Sequence, residues 1–479
     1  MCLISPSEAG TMTIFRLNPK LMAIGDSLPQ GCRSLTVKAE YCAQSWPARI
    51  AAEQGWNFVS PDHPRPVLFD LEEELRRLDP VLLSPKTLAL AAGLPARLKN
   101  NLNQWRTQAP QSRSQSFDNL AIAGSEVHDL YSCTASLYEI DISERSGGNI
   151  LEHLDNISDL HVAINGKYVL NPQNHPEFND FSPLKWVEAR QPEILLIQSG
   201  HNHGLFEFGF KGNPGLDITQ GEDREGRDYF EQWKVVAQRI AKLPAATRQI
   251  VVMLLPKVSG VAALLPMSSD RQEGYAEAYF PRLLPGAARL AGTLVASADR
   301  KVAEVNQRIQ QIFLEAAAAT NTKDRLHFID SYKQLDQIDY KNYLDPNLRI
   351  QANSEQFVDN RYLDGKLDFS SPQRTRLKAG GYQSVDGMHP SGFGYADIAS
   401  KVMTALNLPH DRQRLLARAF QEDALLSNYP LELDAVTRYI DMLRSFSLAN
   451  WFVPETTPTL RDDTHLTQTL DLFSRPFFR

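Results

Sequence analysis

Three short stretches carry the residue types that acyl chemistry needs. Gly25-Asp26-Ser27 follows the apolar run Leu21-Met22-Ala23-Ile24. A serine at the C-terminal end of a first strand sits where an open α/β sheet exposes reactive groups. Serine is a weak nucleophile at neutral pH. It needs an adjacent base, usually histidine, and the imidazole needs a partner that fixes its tautomer. Asp386-Gly387-Met388-His389-Pro390 offers both. An acid and an imidazole three residues apart fold into one turn, and Pro390 limits helix before it, which keeps His389 on a loop. A tetrahedral intermediate also needs donors aimed at one point. Gly200-His201-Asn202 offers a side-chain amide, and Asn119-Leu-Ala-Ile-Ala-Gly124 a backbone N–H freed by its glycine. Alone, Gly-Asp-Ser reads equally well as a strand-ending turn with a capping serine. The later base and donors decide for a nucleophile.

These residues must be held by strands and helices. Five short, continuously apolar runs read as buried strands: 21–24, 119–124, 193–200, 249–256 and 326–330. Helical spacing appears at 44–54, where Pro47 suits a first turn, at about 71–78, and at 229–243, where Phe230, Trp233, Val236 and Ile240 share a face. Long helices are expected at 291–320 and 392–406, and partial helix at 126–142, while 151–163 is ambiguous. Alternating strands and helices with continuously apolar strands mean α/β architecture with a central, mostly parallel five-stranded sheet. The expected form is a flavodoxin-like three-layer α/β/α sandwich with large insertions. One domain is expected over 1–410, with insertions at about 60–116, 205–228, 257–290 and 334–380. Residues 411–479 read as a helical extension packed on that domain.

Composition bounds the partners. The 479 residues carry a formal net charge of −7 with acids and bases interspersed, so no basic stripe invites nucleic acid. No run of about 18 apolar residues occurs, so no transmembrane segment is expected. The start lacks a basic stretch followed by an apolar one, which reads as cytoplasmic, or as secreted if a leader has been removed. Cys2, Cys32, Cys42 and Cys133 show no Cys-x-x-Cys spacing and make no disulfide framework. Free thiols are expected, with a Cys32–Cys42 bridge as the alternative.

In combination, Gly25-Asp26-Ser27-Leu28, Gly124, Gly200-x-Asn202 and Asp386-x-x-His389 resemble, in order, the four blocks of the SGNH hydrolases, also called GDSL esterases and lipases. The blocks total under forty residues but span about 21 to 407, and the likeness is to a bacterial-type member with long insertions. The resemblance implies a serine ester hydrolase working through an acyl-enzyme on a carboxylic ester, of a lipid or a small acyl compound, with no cofactor and no metal. It implies Ser27 as nucleophile, His389 as general base and then acid, and Asp386 as the residue orienting His389. The Ser27 and Gly124 N–H groups and the Asn202 amide would form the oxyanion hole. In one respect the chain departs from the family. The third block commonly reads Gly-x-Asn-Asp, and here the last position is His203, which leaves the substrate class open. The same apparatus would serve a carbohydrate O-acetyl esterase or an acyltransferase, and a non-catalytic binding module on a hydrolase scaffold is the alternative from another class.

Several residues have rival readings. His201 and His203 flank Asn202 and are candidate substrate-lining residues; as metal ligands they lack a third partner nearby in sequence. Phe206, Phe208 and Phe210 alternate at strand period, so Phe206 and Phe208 are candidates for the same lining. Asp330 ends the fifth strand and rivals Asp386 as the triad acid. Asp26 is expected to hold the nucleophile turn. His161 and His175 read as solvated or packed. The stretch 275–295, with Phe280, Leu283 and Leu284, reads either as a lid or acyl-binding wall or as ordinary core.

Overall fold

The computed structural model describes residues 15–67, 69–77, 85–107, 112–145, 157–205, 208–209, 217–281, 289–367 and 375–427. Four of the apolar runs form one parallel sheet: β1 (Leu21–Gly25), β2 (Ile194–Gln198), β3 (Gln249–Met253) and β4 (Leu326–Ile329), in that spatial order. Every residue of β1 and β2 is buried, which is why these strands read as unbroken apolar runs rather than alternating ones. β4 lies at the sheet edge and is buried only at Ile329.

The second run, 119–124, does not form a regular strand. Residues 119–124 lie parallel to β1 but make a single bridge, Ala23 with Asn119. The Ala23 N–H donates to Asp118 C=O at 2.9 Å, and the Leu120 and Ile122 N–H groups donate to Ala23 and Gly25 at 2.8 and 2.9 Å. The Asn119 side chain adds two local bonds. Its Oδ1 accepts from the Ala121 N–H at 3.2 Å, and its Nδ2 donates to Pro29 C=O at 2.7 Å.

At the end of β1 the chains come close. A Cβ on Gly25, which has φ +144°, would sit 1.8 Å from the Gln198 carbonyl oxygen of β2. Only glycine lets the first strand end here against the second. Because the strands are parallel, the turns after β1, after residue 122 and after β2 all leave from one edge of the sheet.

Helices carry the rest: α1 (Ser27–Gln30), α2 (Trp46–Glu53), α3 (Pro85–Thr107), α4 (Ile157–Leu170), α5 (Tyr229–Ala241), α6 (Gly292–Thr320), α7 (Gly392–Ala405) and α8 (Arg412–Glu422). Pro47 stands in the first turn of α2 as its type demands. The region 60–116, which reads as a long irregular excursion beyond a short helix, contains the 23-residue α3. The ambiguous 151–163 stretch is helical from Ile157; its first residues lie outside those described. The 257–290 insertion forms a small antiparallel sheet of Leu264–Pro266, Ala278–Pro281 and Leu290–Ala291, together with a short hairpin. In it Tyr279 is fully buried and Tyr275 donates its hydroxyl to Asp299 at 3.0 Å, while Leu283 and Leu284 lie outside the described residues.

The extension past 411 packs on the same core as far as it is described. Leu415 is buried, and Asp423 accepts from the Gly392 N–H at 2.7 Å and pairs with Arg33 at 2.8 Å. Cys32 and Cys42 are free and buried, and Cys133 is free and half-buried. No helix among the described residues is long and apolar enough to cross a membrane.

Candidate active site

β1 runs straight into α1, and Asp26 caps that helix: its Oδ1 accepts from the Leu28 N–H at 3.2 Å. Ser27 is therefore the first helical residue, just past the sheet edge. Asp386 and His389 arrive from more than 350 residues away in the loop before α7. The His389 Nε2 lies 2.9 Å from Ser27 Oγ, and its Nδ1 lies 2.8 Å from Asp386 Oδ2. A carboxylate only accepts, so Nδ1 carries the proton and Nε2 accepts from the Ser27 hydroxyl. All three side chains are completely buried.

Asp386 is held by more than the imidazole. Its Oδ1 accepts from the Met388 and His389 N–H groups, both at 2.8 Å, and its Oδ2 from the Leu35 N–H at 2.8 Å. Burial works against its charge, but the facing His389 imidazole and the Met388 and His389 backbone N–H groups hold the carboxyl below the usual carboxylate range.

Leu35 and its neighbour were not visible as site residues. Arg33 and Thr36 exchange backbone hydrogen bonds of 3.1 and 2.9 Å around Ser34 and Leu35, which have φ +52° and +53°. Such a turn favours Asn-Gly, and a leucine there costs of the order of 1–3 kcal/mol. The surroundings offset that strain. The Ser34 N–H donates to Ser384 Oγ at 2.8 Å, and its own hydroxyl donates to Glu72 at 2.8 Å. Glu72 in turn receives two hydrogen bonds from the buried Arg33, at 2.7 and 2.8 Å. Burial alone would raise the Glu72 carboxyl, but Arg33 holds it at about 2. The one sequence signal was an acid-base pair 39 residues apart, and no spacing rule singles that out.

The turns that carry Gly124 and Asn202 are joined near the end of β1, where the Ser125 hydroxyl donates to Gly25 C=O at 3.1 Å. Asn202 follows Gly200, which has φ +102° and whose Cβ would lie 2.5 Å from the Tyr229 hydroxyl. The Asn202 amide Nδ2 donates to Ser125 C=O at 2.7 Å, which leaves it a second hydrogen. Gly124 immediately precedes Ser125. Among the described residues neither the Ser27 N–H nor the Gly124 N–H has a hydrogen-bond acceptor, although both residues are buried. Buried donors without partners are rare and call for an explanation.

Both flanking histidines are hydrogen-bonded within the fold. The His201 Nδ1 lies 2.6 Å from Asp26 Oδ2, both side chains being fully buried, so this pair ties the Asn202 turn to the Ser27 turn. His203 uses both ring nitrogens internally: Nε2 accepts from the Val127 N–H at 3.0 Å and Nδ1 donates to Gln220 C=O at 2.9 Å. Phe206 and Phe210 lie outside the described residues. Phe208 is buried, and its N–H donates to Gly204 C=O at 3.0 Å, a helical turn where strand alternation reads from the sequence. Asp330, the rival acid, caps the helix Ser331–Asp336 by accepting from the Lys333 N–H at 3.0 Å. His161 is fully buried, and His175 caps the 3-10 turn Pro176–Phe178. Among the described residues no group of three or more His, Cys, Asp or Glu is arranged to hold a metal ion.

Burial of two histidines sets a pH dependence of stability. Desolvation pushes His63 and His203 from 6.5 down to about 4. Between these values the unfolded chain binds more protons than the folded one, so stability rises with pH there and is lost as pH falls from 6.5 toward 4. Each histidine contributes up to about 3 kcal/mol of that loss. Unfolding free energy from urea titrations is expected to drop steadily between pH 7 and pH 4. A flat profile across that range would contradict the burial of neutral imidazoles.

No protein-family model, no curated protein and no solved structure matches this chain.

Proposed function

We propose that the chain is a serine ester hydrolase of the SGNH type that works through an acyl-enzyme. The observation that carries this reading is the continuous relay from Ser27 Oγ through His389 to Asp386, with spacings of 2.9 and 2.8 Å. The sheet supports the same family fold. With the bridged segment 119–124 beside β1, the chain order across the sheet is second, first, third, fourth, fifth, which is the flavodoxin-like order.

The steps follow from the geometry. Ser27 Oγ attacks the ester carbonyl carbon as its proton passes to His389 Nε2, and Asp386 stabilises the resulting imidazolium. The carbonyl oxygen becomes an oxyanion and takes hydrogen bonds from the Ser27 and Gly124 N–H groups and from the second Asn202 amide hydrogen. Collapse breaks the bond to the alcohol, which leaves with the proton from His389. Water then attacks the acyl group, gives its proton to His389, and releases the acid as Ser27 recovers its hydrogen. The complete burial of Ser27 means that substrate reaches it only after the residues above it move apart.

The test is turnover of p-nitrophenyl esters by Asn202→Ala. An oxyanion donor acts in the transition state, so kcat is expected to fall about 10²- to 10³-fold with little change in KM. An unchanged kcat would remove Asn202 from the oxyanion hole.

A further inference from the structure

Gln30 closes α1, three residues after Ser27, and is fully buried. Its Oε1 accepts from the Ala123 N–H at 2.7 Å, and Ala123 immediately precedes Gly124. The same side chain forms a reciprocal pair with Asn165 of α4. Gln30 Nε2 donates to Asn165 Oδ1, and Asn165 Nδ2 donates to Gln30 Oε1, both at 2.9 Å. Behind them the His63 Nε2 reaches Asn165 Oδ1 at 3.1 Å, and the Cys42 thiol lies 3.8 Å from His63 Nδ1.

The polarity of this chain is determined by one backbone group. An N–H only donates, so the Gln30 atom facing Ala123 is its carbonyl oxygen, and Nε2 must face Asn165. Asn165 therefore presents Oδ1 to both Gln30 and His63. His63 donates from Nε2, and its Nδ1 is left to accept the Cys42 S–H. Burial keeps that imidazole neutral at neutral pH, as the arrangement requires. All of these side chains are buried, and a polar network satisfied in this way is rigid.

We propose that Gln30 is a positioning residue for the oxyanion hole: it ties the helix that presents Ser27 to the turn that presents the Gly124 N–H, and the Asn165–His63 pair holds it in the required orientation. No other side chain among the described residues bonds the Ala123 N–H. The adjacent Gly124, at φ +88°, has an N–H with no hydrogen-bond acceptor among the described residues. Gln30 does not touch substrate. Its effect is to keep two donors, the N–H groups of Ser27 and Gly124, at a fixed separation as charge develops on the carbonyl oxygen.

The inference rests on the proposed hydrolase activity, so the experiment first establishes labelling of Ser27 by a fluorophosphonate in the wild-type chain. Absence of that label defeats the hydrolase reading itself. Gln30→Met keeps the volume and removes the acceptor. Its kcat on a p-nitrophenyl ester is expected to fall about 10- to 100-fold, with KM within about twofold and fluorophosphonate labelling slowed in parallel. Wild-type kcat and labelling rate in a labelled, folded Gln30→Met would overturn the role of Gln30, as would a loss confined to KM. Gln30→Glu decides the matter if Gln30→Met does not fold. Protonated, the carboxyl group both accepts from Ala123 and donates to Asn165; ionised, it can only accept. Its kcat relative to wild type is expected to fall as pH rises from 6 to 9, and a constant ratio would overturn the proposal.

Discussion

Replacing Ser27 by alanine is expected to lower ester turnover about 10⁵- to 10⁶-fold while leaving the fold intact. Triad members act as a unit, so losing the nucleophile removes nearly all the chemistry that the unit performs, and what remains is the donor array and binding. The change deletes one hydroxyl whose described partner is His389 Nε2. It opens little volume, and alanine suits the first position of α1. The stability change is therefore expected to stay near 1 kcal/mol, the net value of one hydrogen bond. Circular dichroism melts measured beside the kinetics separate loss of chemistry from loss of fold. A Ser27→Ala chain that melts like wild type and still turns over at the wild-type rate would place the chemistry elsewhere.

Asp386→Asn is expected to cost about 10⁴-fold in kcat, and some stability as well. The carboxylate accepts four hydrogen bonds from described N–H groups, two at each oxygen. An asparagine offers one oxygen and one NH₂. If the NH₂ takes the Oδ2 position it faces the Leu35 N–H and the His389 Nδ1–H; if it takes the Oδ1 position it faces the Met388 and His389 backbone N–H groups. The first conflict is the smaller, because the imidazole can shift its proton from Nδ1 to Nε2. That relief is what stops catalysis, since an Nε2–H cannot take the proton of Ser27. The Leu35 N–H remains buried without an acceptor, at a cost of about 1–3 kcal/mol. The expected signature is a large loss of kcat at neutral pH together with a lower melting temperature. A kcat within tenfold of wild type would mean that Asp386 does not fix the tautomer.

Both residues were legible in the sequence, and so were the strands that carry the site, for related reasons. β1 and β2 are buried throughout, so composition alone marks them. Asp386 and His389 lie three residues apart, and local spacing of this kind survives in a linear reading. The edge of the sheet was harder. Residues 119–124 are as apolar as a strand, and their N–H groups at 120 and 122 reach β1, yet the pairing amounts to a single bridge. The 23-residue α3 was hidden in a region whose prolines and polar residues mimic a loop. The supports of the triad were invisible as well. Ser34 and Leu35 adopt left-handed backbone only because Ser384, Asp386 and Glu72 receive them. Gln30 lies beside the Ser27 motif, but its partner Asn165 is 135 residues away. His201 and His203 read as candidate substrate-lining residues, and their partners Asp26, Val127 and Gln220 are distant in sequence and could not be read from it.

The most direct measurement of the central claim is covalent. The wild-type chain is treated with a fluorophosphonate, and the adduct is located by intact mass and peptide mapping. The relay from Ser27 to Asp386 predicts a single adduct on Ser27, lost in Ser27→Ala and strongly slowed in Asp386→Asn. An adduct on another serine, or full ester turnover by a chain that takes no label at Ser27, would contradict it.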